Sequence, residues 1–377
     1  MHRTVAEKNF FRSILNLSAI EKIDKLVIVT HLVPGSDEFL LTVNEEIPIA
    51  MLIPKPNSID KQVKDKVIDF IPILHFTRDE IKRNKKKFLE LLQKHIGNDT
   101  FAVVDIGGYF SHVLDEMQYI FGSKFIGVVE DTENGHQKYE TLLLNENHTS
   151  LPCPVISVAR SSLKDSEDFL VGHAIVFSAE ALLREEGEIL TGKQAVVLGY
   201  GKIGRSIANS LRSKGVRVDV IDTNSSRQVL ALAHDFHTNK KDVLLENADL
   251  LFCATGNHSL KQSDLPKMKN NSYIFTATSA DDEIEEHLLI MENAVPHPNK
   301  KISQLEVAGK QLFLCNNGNS ANFMHGGVVG PFIKLVQAEI IFALSQLSRF
   351  PNDKVYQISD ESKSFISDLW LDFYAKR

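Results

Sequence analysis

The stretch AVVLGYGKIGRSIANSLRSKGVRVDVID, Ala195 to Asp222, decides how this chain folds. It opens on four apolar residues, as a buried strand does. Gly199, Gly201 and Gly204 follow in a G-x-G-x-x-G pattern. Ile203, Ile207 and Leu211 then recur at helical spacing, and VRVDVI reads as a second strand closed by Asp222. In a dinucleotide-binding unit the first glycine makes the tight turn. The second lets the backbone approach a pyrophosphate, and the third lets the helix sit close to the sheet. The helix start offers free N–H groups and the positive end of its dipole to that phosphate. Asp222 stands where an acid would accept hydrogen bonds from a ribose diol and repel a 2′-phosphate. NAD is therefore expected rather than NADP. The loop residues read as cofactor-binding are Gly199, Gly201, Lys202, Ile203, Gly204 and Asp222.

On the N-terminal side, short apolar runs alternate with amphipathic stretches. The runs are LVIVTH (26–31), IPIAMLIP (47–54), IDFIPILHF (68–76), FAVVDIGG (101–108), FIGVVED (125–131) and VISVA (155–159). DEIKRNKKKFLELLQKHIG, YFSHVLDEMQYIFG and HQKYETLLLNEN lie between several of them. This alternation predicts an α/β fold with a largely parallel sheet. On the C-terminal side, LLFCATG (250–256), YIFTATS (273–279) and QLFLCNNG (311–318) read as further buried strands. Two long apolar helical patterns, 168–187 and 328–347, bracket this second region. The expectation is two doubly wound domains joined by hinge helices, with a cleft between them. Residues 1–170 and 345–377 would form a substrate domain, and 171–344 the NAD-binding Rossmann domain.

Composition narrows the function classes. The chain has 377 residues, 43% hydrophobic and 24% charged, with a net charge of −7. The acidic balance argues against nucleic acid as a partner. The basic run KRNKKKFLELLQK carries leucines at helical spacing and reads as a solvated helix face. Three scattered cysteines, Cys153, Cys253 and Cys315, suit a reducing compartment, so a cytoplasmic location is expected. No apolar run is long enough for a membrane span, and MHRTVAEKNFF lacks a signal core. No cysteine–histidine spacing suggests zinc, and no metal is expected.

Four blocks, in order, make the chain resemble the S-adenosylhomocysteine hydrolase family. TGKQAVVLGYGKIGRSIANSLRSKG is similar to that family's glycine-rich segment. GVVEDTENGHQKYE resembles its G-[VI]-S-E-E-T-T-T-G-V-H-x-L-Y, and VVDIGG its V-D-D-G-G. PVISVARSSLKDSEDFLVG is similar to P-A-I-N-V-N-D-S-x-T-K-S-K-F-D-N-x-Y-G. The resemblance implies a resident NAD that oxidises a substrate 3′-hydroxyl and is restored within one cycle. The oxidation acidifies the neighbouring C4′ hydrogen, so that a thiol leaves by elimination and water adds.

The resemblance also implies site residues. Lys164 and Asp168 match the lysine and aspartate beside the 3′-hydroxyl; a lysine near a cationic ring loses its proton more easily and can accept one. Asp131 falls on the second glutamate of S-E-E-T. Thr132 and Asn134 fall on two NAD-contacting threonines. His31 falls on a water-activating histidine, and His325 on the histidine of M-G-H-P-S. Asn322 matches an asparagine near the nicotinamide carboxamide. Thr255, Gly256 and Asn257, after the strand LLFCATG, and Thr278, after YIFTA, complete the expected cofactor contacts. A homo-oligomer is implied, with the apolar helix FIKLVQAEIIFAL as a contact surface.

The departures lie on the substrate side. The second aspartate of V-D-D-G-G is Ile106, and the asparagine and aspartate of V-N-D are Ala159 and Arg160. Ala280 stands about where the family has a histidine, and SDLWLDFYAKR shows no counterpart to the family's exchanged tail. Three readings therefore stand. The chain is a hydrolase of S-adenosylhomocysteine or a related nucleoside. Alternatively it is an NAD-dependent redox, epimerase or elimination enzyme on another nucleoside or sugar. The third is a non-catalytic NAD-binding homologue.

Overall fold

A computed structural model describes residues 2–18, 20, 22–144, 149–285 and 287–375. The end of HQKYETLLLNEN and the last two residues of SDLWLDFYAKR lie outside them. The chain divides into two compact units, Met1–Asp165 with Gly330–Arg377, and Ser166–Val329.

In the first unit the sheet is built from β1 (Lys25–Leu32), β2 (Ile49–Ile59), β3 (Phe101–Asp105), β4 (Phe125–Glu130) and β5 (Val155–Ser157). The pair Val355–Tyr356 adds an outer strand beside β5, and the order across the sheet is Val355–Tyr356, β5, β4, β3, β1, β2. Every pairing is parallel. Successive residues of β1 pack into different cores: Leu26 and Ile28 into one, Val27 and Val29 into the other. The strand is buried on both faces, which is why it reads as continuously apolar.

One expected strand does not form. Residues 68–76 contribute only an isolated bridge from Ile73 to Leu52. Ile68 and Phe70 face solvent, and Pro72 lacks an N–H to donate. Instead β2 continues through Pro54 and Pro56 to Ile59, which an edge strand tolerates because its outer N–H groups need no partner. The lysine-rich stretch forms two helices, Arg78–Arg83 and Lys85–Ile96, separated at Asn84. Thr77 and Glu80 cap the first reciprocally. Phe88, Leu89, Leu92 and Ile96 line the buried face of the second, leaving most of the lysines outside.

The second unit contains β6 (Gln194–Leu198), β7 (Arg217–Ile221), β8 (Leu250–Cys253), β9 (Ser272–Thr276), β10 (Ala294–Pro296), β11 (Ile302–Val307) and β12 (Lys310–Cys315). Their order is β10-β11-β12-β9-β8-β6-β7. The five strands from β12 to β7 are parallel, and β10 and β11 add an antiparallel edge that the periodicity had not indicated. Beyond β7, a single parallel bridge from Asp219 to His237 is all that remains of a further strand. Counted with that bridge, the parallel part has the 3-2-1-4-5-6 order of a dinucleotide-binding fold. Ala195 and Val197 enter one core, Val196 and Leu198 the other. The three cysteines are buried and unbridged. Among the described residues no helix is long and apolar enough to cross a membrane.

Candidate active site

The three glycines meet different surroundings. Gly199 has φ 98°, and an added Cβ would lie 2.6 Å from the Ala254 carbonyl oxygen. At Gly204 an added Cβ would lie 2.0 Å from the Gly199 carbonyl oxygen, so only glycine lets the helix Lys202–Ser213 start this close to the turn. Gly201 is unlike both. Its φ is −72°, and the nearest atom to an added Cβ is Arg227 Nη1 at 3.8 Å. Nothing in the chain demands glycine there. The room in front of it suits the close approach of a dinucleotide's pyrophosphate.

Asp222, just past the end of β7, is buried and accepts from the backbone N–H groups of Tyr200 at 2.7 Å and Asn224 at 2.8 Å. It ties the glycine turn to the strand end. Its two oxygens keep lone pairs for a ribose diol. Arg227 Nη1 stands 3.6 Å away and balances the charge. Ile203 packs on the core of this unit, and Lys202 Nζ lies 3.9 Å from the carboxylate of Asp168.

A second rim follows β8. Glu283 accepts from Thr255 N, Thr255 Oγ1, Gly256 N and Ser259 Oγ at 2.7–3.0 Å, and Asn257 N donates to Thr255 Oγ1 at 3.0 Å. Burial pushes the Glu283 carboxyl up, against the pull of these donors. This glutamate, absent from the expected set, shapes the loop that carries Thr255, Gly256 and Asn257. The Thr278 hydroxyl is buried with no hydrogen-bond partner among the described residues. Asn322 accepts from Ser320 Oγ at 2.6 Å and lines a cavity of about 330 Å³ together with His173, Phe177, Ser178 and His325. His325 Nδ1 bonds Ser178 Oγ at 3.0 Å and meets the edge of Phe177. Burial and the nearby Lys301 lower its pKa, keeping it neutral. A cradle at Gly201, an acid at the strand end and an unsatisfied hydroxyl at Thr278 fit a dinucleotide.

In the first unit, side chains gather at the C-terminal ends of the parallel strands, where open α/β sheets hold ligands. Lys164, in the turn Ser162–Lys164, donates to Asp131 just after β4; the Nζ–Oδ1 distance is 2.7 Å and both groups are buried. Glu339, on the helix Ile333–Gln346, is buried next to Ser161. Burial pushes its carboxyl up to about 7, and the Ser161 hydroxyl, Lys363 and Lys164 pull the other way. His31, on β1, bonds Ser58 Oγ through Nδ1 at 2.5 Å. Ser58 directs its own proton to the Lys55 carbonyl at 3.3 Å. In the tautomer whose Nδ1–H donates to Ser58 Oγ, Nε2 is the basic nitrogen. Burial first, then the ammonium groups of Lys55 and Lys164, hold His31 well below its ordinary pKa.

Beneath this layer, Asp105 and Glu130 end β3 and β4. Glu130 accepts from Gly107 N, Gly108 N, Thr132 N and Thr132 Oγ1 at 2.6–3.1 Å. Asp105 accepts from Tyr109 N, Phe110 N and Tyr139 Oη. Burial and the Asp105 charge raise Glu130 to about 8. An added Cβ on Gly135 would lie 2.1 Å from the Glu130 carboxyl carbon, which explains the glycine in DTENG. Thr132 thus has a task within the chain, holding Glu130. Asn134 sits in the first turn of Glu133–Leu144. Ile106 is buried in an apolar core, and Ala159 is buried as well. Arg160 faces the surface, bridging Glu133 at 2.7 Å and Glu140 at 3.2 Å. Among the described residues no cluster of three metal-capable side chains occurs.

Residues 173–325 match the family described as S-adenosyl-L-homocysteine hydrolase, NAD binding domain. The chain as a whole is similar to adenosylhomocysteinases. It is 28% identical over 293 residues to the adenosylhomocysteinase of Thermotoga maritima, covering 76% of this chain and 71% of that one. It is 24% identical over 243 residues to the adenosylhomocysteinase of Sulfolobus acidocaldarius, with 64% and 57% covered. The S-inosyl-L-homocysteine hydrolase of Methanocaldococcus jannaschii is 23% identical over 239 residues, with 63% and 57% covered. The matches thus span between just over half and about seven-tenths of these relatives. The glycine-loop unit carries the match to an NAD-binding domain, which supports NAD as its cofactor.

Proposed function

We propose that this relative of the adenosylhomocysteinases is an NAD-dependent enzyme. It acts on S-adenosylhomocysteine or a closely related nucleoside thioether, such as the inosyl analogue, through transient oxidation of the 3′-hydroxyl. The observation that carries the reading is that an NAD-binding domain shares the chain with a buried lysine–carboxylate pair, Lys164–Asp131, at a ligand-binding sheet edge. When bound, NAD supplies a hydride acceptor. Lys164, in the neutral form that a cationic ring beside it would favour, takes the hydroxyl proton; Asp131, 2.7 Å from its Nζ, holds it in place. Asp168, one turn into the helix Asp165–Glu185, assists in orienting the sugar. Neutral His31, basic at Nε2, removes the acidified C4′ proton. Gly199, Gly201, Lys202, Ile203, Gly204 and Asp222 hold the cofactor's pyrophosphate and adenosine ribose. Thr255, Gly256, Asn257 and Thr278 form the opposite rim. Asn322 and His325 close the cavity at the nicotinamide end, and Thr132 and Asn134 frame the strand end after Asp131.

The unit Met1–Asp165 with Gly330–Arg377 is read as the substrate domain, in a cytoplasmic homo-oligomer. The test is spectroscopic. Adenosine or S-adenosylhomocysteine added to the purified, NAD-loaded protein raises absorbance in the NADH band, and the thioether also yields a free thiol. Failure of either nucleoside to change the absorbance refutes the redox reading. One observation favours a second reading, redox chemistry on another nucleoside or sugar: Ile106, buried and apolar, cannot move a proton where the family resemblance implies an acid. NADH formation without thiol release identifies that case.

A further inference from the structure

Ile106 leaves elimination without an acid on the turn after β3, but another titratable group overhangs the same turn. Lys55 comes from the edge strand β2, far from the glycine turn in sequence. Its Nζ lies 3.3 Å from where a Cβ on Gly107 would be and 5.9 Å from the centroid of the Tyr109 ring. Its charge reaches His31, and its carbonyl oxygen lies 3.3 Å from Ser58 Oγ, which bonds His31 Nδ1. Lys55 and His31 are thus joined through one serine at the C-terminal edge of adjacent strands.

We propose that Lys55 is the proton-transfer group of the elimination and water-addition steps, in the role Ile106 cannot fill. The proposal rests on the function given above. At the 3′-ketone stage, His31 Nε2 takes the C4′ proton. The electron pair left on C4′ forms the C4′–C5′ double bond as the C5′–sulfur bond breaks. The departing thiolate receives a proton from the Lys55 ammonium, giving a free thiol and a neutral amine. Water then adds: its oxygen bonds to C5′, one of its protons returns to the Lys55 amine, and the His31 imidazolium returns a proton to C4′. One water is consumed, and both side chains end as they began. A lysine suits this exchange because its amine and ammonium forms interconvert readily in a desolvated site, whereas a guanidinium stays charged.

The test compares Lys55→Met and Lys55→Arg with the unaltered NAD-loaded protein, using adenosine and S-adenosylhomocysteine as probes. Arginine keeps the charge and length but cannot give up its proton, so it guards against a variant that merely fails to fold. Both variants are expected to form NADH from adenosine and to exchange the C4′ hydrogen with deuterated water, because Lys164 and His31 are intact. Thiol release from S-adenosylhomocysteine is expected to fall ~10²–10⁴-fold in kcat in both, with KM little changed. Thiol release at the unaltered rate in either folded variant overturns the proposal. So does loss of NADH formation together with thiol release in Lys55→Arg, which assigns Lys55 to binding. NADH formation but no thiol from the unaltered protein overturns this role alone, and no NADH at all overturns the redox reading with it.

Discussion

The glycine loop after β6 and the strand ends of the first unit are built in opposite ways. At the loop, the chain withdraws. Gly199 and Gly204 bring backbone against backbone, and Gly201 leaves room in which an added Cβ would meet only Arg227 Nη1, at 3.8 Å. At the strand ends the chain crowds in, with Lys164, Asp131, His31, Ser58 and Glu339 interlocked by hydrogen bonds and charge. A backbone cradle serves a ligand that is held, because amides and a helix dipole do not titrate. Titratable side chains serve a ligand that is changed, because protons have to move.

The largest effect separates these two tasks. Lys164→Met is expected to slow NADH formation from adenosine by ~10²–10⁴-fold, measured by absorbance, while NAD affinity stays as it was. If affinity falls with the rate, the division between holding and changing is wrong.

Within the loop, Gly204→Ala places a Cβ 2.0 Å from the Gly199 carbonyl oxygen, so the helix has to move. Overpacking of this kind costs about 1–3 kcal/mol or more, readable as a lowered Tm. An unchanged Tm contradicts the close packing.

Asp222→Ala is expected to weaken NAD by ~1–3 kcal/mol, through loss of a charged acceptor for the ribose and of the tether to Tyr200 N. Isothermal titration measures it.

The smallest effect is a pH slope. Glu130, raised to about 8 in the fold from an ordinary 4.5, binds its proton more tightly folded than unfolded. Its contribution to stability therefore falls as pH rises from about 4.5 to 8 and then levels off. Urea midpoints at pH 6 and pH 9 should differ more in the unaltered protein than in Glu130→Gln. Equal differences in the two proteins remove Glu130 as the source.

The contrast also explains what could be read in the sequence. Glycine demands are local: three positions within six residues announce the turn, and Asp222 closes the same unit. The strand ends are assembled from β1, β2, β4 and the turn before residue 165, so their geometry has no sequence-local signature. Lys164, His31 and Asp131 were found only through a resemblance to a family. Lys55 was passed over because a lysine between two prolines in a strand reads as an exposed edge residue. Glu283 and Glu130 were missed because an acid after a strand reads as solvated, whereas both are buried beneath backbone N–H donors. Residues 68–76 showed the apolar run of a strand, but Pro72 and the outward Ile68 and Phe70 left only a bridge.

The most direct test of a cradle made by withdrawal is a calorimetric titration of NAD and NADP into the unaltered protein and into Gly201→Ala. A Cβ added at Gly201 would come no closer than 3.8 Å to the rest of the protein, so the added methyl group is expected to leave Tm unchanged. NAD binding should nonetheless weaken markedly, and the unaltered protein should prefer NAD to NADP. Equal affinity for the two nucleotides, or NAD binding in Gly201→Ala as tight as in the unaltered protein, would contradict the account.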